Sequence, residues 1–203
     1  AVTAAGGLVG EVVQVWRPRE LNTHETEWGF SCMSYEISGA LGIKMANPNK
    51  EVISFVGDGS YLLNNTDIYS SVITKNKLII IVCDNGGFAV INRLQLFKGG
   101  NEYNNLLKSS NTPGLVDVDF AKHAESMGAK SEHVNSISDL EEAFKRAKKS
   151  DVTYVISIKT HAYQWLEGSA FWDSPTLEIP TTDENKKALK LYKEGKSKQR
   201  QGV

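Results

Sequence analysis

The sequence predicts an α/β domain, a parallel sheet with helices on both faces, and three observations carry that reading. Two apolar runs, Val52-Ile53-Ser54-Phe55-Val56 and Leu78-Ile79-Ile80-Ile81-Val82-Cys83, are rich in β-branched residues and continuous rather than alternating. Strands covered on both faces of a parallel sheet have this composition. Each run ends in a polar, glycine-containing turn, Gly57-Asp58-Gly59-Ser60 and Asp84-Asn85-Gly86-Gly87. Residues 62–75, between the runs, are long enough for the crossover helix that parallel neighbours need.

The remaining elements follow in order. Residues 2–5 read as the end of a strand, Gly6-Gly7 as a turn and residues 8–16 as a short amphipathic helix. Residues 17–28 are polar and irregular, and a loop is the simplest reading. A helix is expected from Ser34 to about Met45, stopped by Asn47-Pro48-Asn49. After Gly87, residues 88–97 read as a short helix, and residues 98–114 as a Gly-, Asn- and Ser-rich loop. Tyr103, Leu106 and Leu107 give that loop little to bury against an ordering cost of about 1–2 kcal/mol per residue, so disorder is expected until a ligand and a further domain close over it. Residues 117–127 form a helix stopped by Gly128, and residues 129–134 a strand. Ser138-Asp139-Leu140-Glu141 reads as a capping box before a helix with Leu140, Phe144 and Ala147 inward. Residues 152–158 are the last strand. From Asp183 onward seven Lys/Arg and three Asp/Glu accompany few apolar residues, which divides the chain into a domain at 1–180 and a polar tail or helix at 181–203.

The chain has 203 residues, enough for one full core, and a net charge of −1, which implies no polyanionic partner such as nucleic acid. No apolar run approaches the roughly 20 residues of a membrane span. Cys32 and Cys83 are too few for a disulfide framework, and a cytoplasmic protein is the default expectation. The chain opens inside a strand without an initiator Met, so a piece of a longer protein is expected.

The chemistry concentrates at the two turns, because ligands of open parallel sheets bind at the carboxyl ends of the strands. Asp58 offers a carboxylate oxygen, Asn85, 27 residues on, an amide oxygen, and Gly87 a backbone carbonyl. With two phosphate oxygens and a water these would complete the octahedron that Mg²⁺ demands. Gly59 and Ser60 open a helix whose N–H groups and hydroxyl can meet an anion, and Gly6-Gly7 is either a second such junction or an ordinary βα turn. Met33 is either a core residue or a soft filler against aromatic rings. Cys32 reads as a small packing residue, and His123 and His133 as surface or packing residues. His24 has Glu25 and Glu27 nearby but no further zinc ligand. His161, past the last strand among Tyr163 and Trp165, is the best histidine for substrate contact or proton transfer. Glu36 is open to three readings: a substrate contact, a buried polar partner or a helix-start carboxylate.

A Gly-Asp-Gly followed by Asp84-Asn85, with the trailing Gly87, resembles the signature of thiamine-diphosphate (ThDP) enzymes, which usually carry Asn-Asn at the second turn. The resemblance implies a ThDP-binding fold with Gly6, Gly7, Gly57, Asp58, Gly59, Ser60, Asn85, Gly87 and Phe88 at the cofactor and Asp58, Asn85 and Gly87 on Mg²⁺. It also implies that Met33, 25 residues before Asp58, props the cofactor into its bent form. The blocks at 27–36, 91–95, 118–128 and 160–163 resemble the trihydroxycyclohexane-dione hydrolase family of inositol breakdown. The stretches 97–113 and beyond Trp165 do not. That family opens the ring of a cyclic diketone, and by their places past the last strand and at a helix start His161 and Glu36 are the candidate catalytic residues. It further implies a separate pyrimidine-binding domain and a homodimer or tetramer. Acetolactate-synthase-like carboligases and 2-oxoacid decarboxylases share the cofactor signature, but the carboligases continue after Met33 with a proline-containing block that Ser34-Tyr35-Glu36-Ile37-Ser38 lacks. From another class, a non-catalytic module that holds subunits together would keep the fold but not an intact Asp58/Asn85 pair.

Overall fold

A computed structural model of the chain describes residues 1–114, 116–166 and 176–200. Six strands form one parallel sheet in the order β2-β1-β3-β4-β6-β5. They are β1 (Val2–Thr3), β2 (Glu25–Thr26), β3 (Ile53–Gly57), β4 (Ile79–Asp84), β5 (Lys130–Val134) and β6 (Tyr154–Lys159). The two apolar runs became the adjacent central strands, paired from Ile53↔Ile79 to Gly57↔Cys83. Their side chains alternate between two cores. Val56, Ile80, Val82 and Val155 face α2 (Tyr35–Ala46), α4 (Thr66–Ile73) and α6 (Phe120–Ser126). Ile79, Ile81, Ile156 and Ile158 face α7 (Ile137–Lys149). With α1 (Gly7–Val15) packed on β1 and β3, both faces are covered, and this is why neither strand alternates in polarity.

The chain leaves β1 towards β2 on one side, while β3 and β4 lie on the other. The connections reverse direction between β1 and β3, which opens a crevice at their carboxyl ends.

Several expectations are corrected. The loop at 17–28 contains the edge strand β2, whose two residues carry no apolar pattern and are held by pairing with Val2 and Thr3. His24 sits there too: its Nε2 lies 3.1 Å from Thr3 Oγ1 and 3.2 Å from Thr26 Oγ1 in a hydroxyl network. The crossover at 62–75 is two helices, α3 (Asp58–Leu63) and α4, broken at Asn64-Asn65, where Asn65 Nδ2 bonds back to the Tyr61 carbonyl. The cap of α7 is Ser136, not Ser138: its Oγ accepts the Asp139 N–H and donates to the Asp139 carboxylate. The 117–127 helix begins only at Phe120, because Asp119 takes the Lys122 N–H as N-cap. The expectation for two histidines holds: His123 is half-buried, 2.9 Å from the Tyr61 hydroxyl, and His133 is an exposed surface residue, 3.0 Å from the Ser157 hydroxyl.

Residues 98–114 have a defined path. Gly87 and Leu106 form an antiparallel bridge, with Phe88 N–H donating to the Asn105 carbonyl (2.7 Å) and Leu107 N–H to the Gly86 carbonyl (2.9 Å). Leu106 is buried, whereas Leu107 stays 40% exposed. Glu102 accepts from Asn92 and from the Tyr163 hydroxyl, and the Gly99 carbonyl accepts from Asn185. Apolar content misjudged this segment because backbone pairing and polar side chains hold it. The 181–203 tail contains α8 (Asp183–Ser197), capped by Thr182 and buried at Asn185 and Ala188. Residues 167–175 of the expected domain and 201–203 of the tail lie outside the described residues. Among the described residues no helix is long and apolar enough to cross a membrane.

Candidate functional site

The crevice at the β1/β3 reversal is a cleft of about 220 Å³. Gly6, Gly7, Met33, Gly57, Asp58, Gly59, Ser60, Asn85, Gly87 and Phe88 all line it. Residues widely separated in sequence therefore meet at one place, because the four junctions after β1, β2, β3 and β4 open onto the same end of the sheet. The turn after β1 supplies Gly6 and Gly7; Gly6 has φ +89° and precedes α1 with no side-chain cap, leaving the first-turn amides of α1 unclaimed by protein side chains. The turn after β3 supplies Gly57 to Ser60, also without a side-chain cap.

The Phe88 ring lies against Gly59, where any Cβ would fall 2.5 Å from its Cε1. The second glycine of Gly-Asp-Gly is thus fixed by an aromatic neighbour. Gly87 is constrained more severely: it has φ +140°, and a Cβ there would lie 2.5 Å from the Asn105 carbonyl oxygen.

Asp58 is 4% exposed, and its Oδ1 accepts the Asn85 N–H at 3.4 Å. Burial, and then the nearby Asp84 charge, push its carboxyl up to about 6, against amides of Asn85, Gly87 and Gly59 that favour the anion. Beside it the side-chain oxygen of Asn85 is buried with no hydrogen-bond partner. Such an unmet acceptor costs about 1–3 kcal/mol. A buried acid next to an orphaned amide oxygen is a donor set that a hard cation would satisfy. Among the described residues no group of three His, Cys, Asp or Glu side chains could hold a metal, so a cation here depends on amide and carbonyl oxygens. Asp84 turns away from this pair: Oδ1 accepts the Gly86 N–H at 3.0 Å, and Oδ2 meets Lys159 Nζ at 2.7 Å.

Two expected catalytic residues do not line the cleft. His161 is exposed past β6, its Nδ1 accepting the Tyr163 N–H at 3.1 Å and its ring edge-on to Tyr163. Glu36 is 1% exposed, packed behind the wall that Ala5 and Ser60 form. Burial pushes its carboxyl up, opposed by hydrogen bonds from backbone amides and the Ser60 hydroxyl, and its Oε2 has no partner. Two of its three readings are observed together: a carboxylate in the first turn of α2 and a buried polar group.

The cleft also has walls that residue type did not single out. Trp28 and Ser31 come from the 28–34 loop, and Val90, Ile91 and Leu94 from α5 (Ala89–Phe97). The spacing of those three on one helical face was the available signal.

Residues 4–158 match the thiamine pyrophosphate enzyme family at its C-terminal TPP binding domain. The chain belongs to the thiamine pyrophosphate enzyme family. The match runs from the first turn of the cleft through the last strand of the sheet. Among curated relatives, a 3D-(3,5/4)-trihydroxycyclohexane-1,2-dione hydrolase of Halalkalibacterium halodurans is 35% identical over 195 residues, 95% of this chain. The hydrolase of that name from Bacillus subtilis is 35% identical over 188 residues, 92% of this chain. The chain spans only 30% and 29% of these two relatives. Among solved structures, a thiamine diphosphate-dependent 4-hydroxybenzoylformate decarboxylase of Rhodococcus jostii RHA1 superposes with a TM-score of 0.60 at 25% identity, covering 68% of this chain and 25% of that one.

Proposed function

We propose that this chain is the cofactor-binding domain of a ThDP- and Mg²⁺-dependent hydrolase that opens the ring of 3D-(3,5/4)-trihydroxycyclohexane-1,2-dione in inositol breakdown. The observation that carries the reading is the buried Asp58 beside the orphaned Asn85 oxygen, in a cleft whose other side is the uncapped Gly6-Gly7 turn. Asp58, the Asn85 amide oxygen and the Gly87 carbonyl would hold Mg²⁺. The Gly59 amide, the Ser60 hydroxyl and the α1 amides would take the diphosphate. Met33 and Phe88 offer apolar contact to the rings, and Trp28, Ile91 and Leu94 add apolar wall beside them. Bound ThDP supplies the electron sink that cleavage of a carbon–carbon bond beside a carbonyl requires.

The cleft volume, about 220 Å³, falls below the roughly 300–1,000 Å³ of a complete small-molecule site, which supports a reading in which this domain forms one wall. The pyrimidine-facing wall then belongs to another domain, from the same or a second copy in a homodimer or tetramer, and the protein works in the cytoplasm. Hydrolase is favoured over carboligase or decarboxylase by the 35% identity that extends over 95% of the chain to a hydrolase of this name.

The test is turnover by the full-length protein with ThDP and Mg²⁺. Release of a ring-opened acid from the cyclic dione, with pyruvate and 4-hydroxybenzoylformate turned over at least a hundredfold more slowly, is the expected result. Preference for either 2-oxoacid would overturn the assignment.

A further inference from the structure

We infer that Glu27 is a positioning residue for the cofactor wall of the cleft: it pins the 28–34 loop that presents Met33. The inference rests on the reading of the cleft given above. Glu27 follows β2 directly, and its own N–H donates to the Thr3 carbonyl at 3.3 Å, so its backbone is tied to the sheet edge beside β1. Both carboxylate oxygens are spent on one loop. Oε1 accepts the Phe30 N–H at 2.8 Å and Oε2 the Cys32 N–H at 2.6 Å. Hydrogen bonds from amides to an ionised acceptor are shorter and stronger than neutral ones. The same amides, those of Phe30 and Cys32, hold the Glu27 carboxyl below the usual carboxylate range, as expected if they bind its charged form.

The far end of the loop has a second pin. Ser34 donates its hydroxyl to the Ser60 carbonyl at 2.7 Å, in a buried bond to the helix that follows the Gly-Asp-Gly turn. Between the pins the backbone is unusual. Ser31 has φ 51° and Ser34 φ 77°, left-handed conformations that serine rarely adopts. Non-glycine residues stay there only where the surroundings impose it. Trp28, Ser31 and Met33 are the loop residues that line the cleft. Met33 directly follows Cys32, the residue whose amide Glu27 holds. A carboxylate on the sheet edge thus sets the path of an otherwise exposed loop and carries Met33 to the cleft. Glu27 itself is not among the cleft residues, so its action is through the loop.

A double-mutant cycle on the full-length protein decides this, with the ThDP dissociation constant measured by titration calorimetry in Mg²⁺. Glu27→Ala is expected to weaken ThDP at least tenfold. Glu27→Gln, which keeps one acceptor oxygen for one amide, is expected to fall between Glu27→Ala and wild type. In a Met33→Ala background the effect of Glu27→Ala should shrink to within twofold, because its route is gone. A loss of equal size in both backgrounds would make Glu27 a general stabiliser and overturn the inference. So would wild-type binding by Glu27→Ala while Met33→Ala is weakened. Should Glu27→Ala fail to fold, Glu27→Gln with wild-type affinity overturns it by itself. If the wild-type protein does not bind ThDP, or Met33→Ala binds as wild type does, the reading of the cleft fails and this inference with it.

Discussion

The contact between Gly59 and Phe88 shows how one side chain settles what another position can be. Gly59 sits in the first turn of a helix, where alanine would ordinarily gain about 1 kcal/mol. The Phe88 ring occupies the space that alanine's Cβ needs. Phe88 is 38% exposed, so its ring can swing aside, and the cleft it lines is one direction open to it. Gly59→Ala is therefore expected to change unfolding stability by no more than about 1 kcal/mol, yet to weaken ThDP binding several-fold. In a Phe88→Ala background the same substitution should have no further effect on ThDP. An equal loss in both backgrounds would show that the ring is not the cause. At this scale the glycines, Asp58, Ser60 and Asn85 were legible in the sequence, because a strand's end and a turn's composition locate a residue without knowledge of packing. That Glu36 and His161 lie outside the cleft lining was not. Their residue type announces chemistry, but only the packing of α2 against the sheet and the fold-back of the 160–163 segment decide which way they face.

At the scale of elements, the continuous β-branched runs made β3 and β4 readable, while β2 carried no signal of its own. A two-residue edge strand exists because a neighbour pairs with it, and Glu25-Thr26 has no apolar face to advertise that. The 98–114 segment was misread for a related reason. It is held by the two backbone hydrogen bonds that make the Gly87–Leu106 bridge and by the polar contacts of Glu102 and Asn185, to which apolar content is blind. Because that bridge joins the segment to the turn carrying Asn85, the two should open together. Amide exchange on the chain should show protection at Phe88 and Leu107, whose N–H groups are the donors. Gly87→Ala adds a left-handed strain to a backbone clash, so protection should fall at both amides, with a global loss of about 1–3 kcal/mol. Unchanged protection in Gly87→Ala would show that the bridge does not hold the segment.

For the molecule as a whole, the sheet order places the reversal between β1 and β3, and the cleft follows from it. The fold class was legible because strands and helices alternate along the chain. The strand order was not, since no sequence pattern says that β2 lies outside β1 or that β6 inserts between β4 and β5. The cleft is small, about 220 Å³, and the chain spans 30% of the length of the Halalkalibacterium halodurans relative. The central claim is that Asp58 and Asn85 hold the metal through which the diphosphate is bound. Calorimetric titration of ThDP into the full-length protein, with Mg²⁺ and then with the metal chelated, in wild type and Asp58→Ala, tests it most directly. One ThDP is expected to bind per chain, weakening at least tenfold, about 1.4 kcal/mol, both on chelation and in Asp58→Ala. Undiminished ThDP affinity in Asp58→Ala with Mg²⁺ present would contradict it.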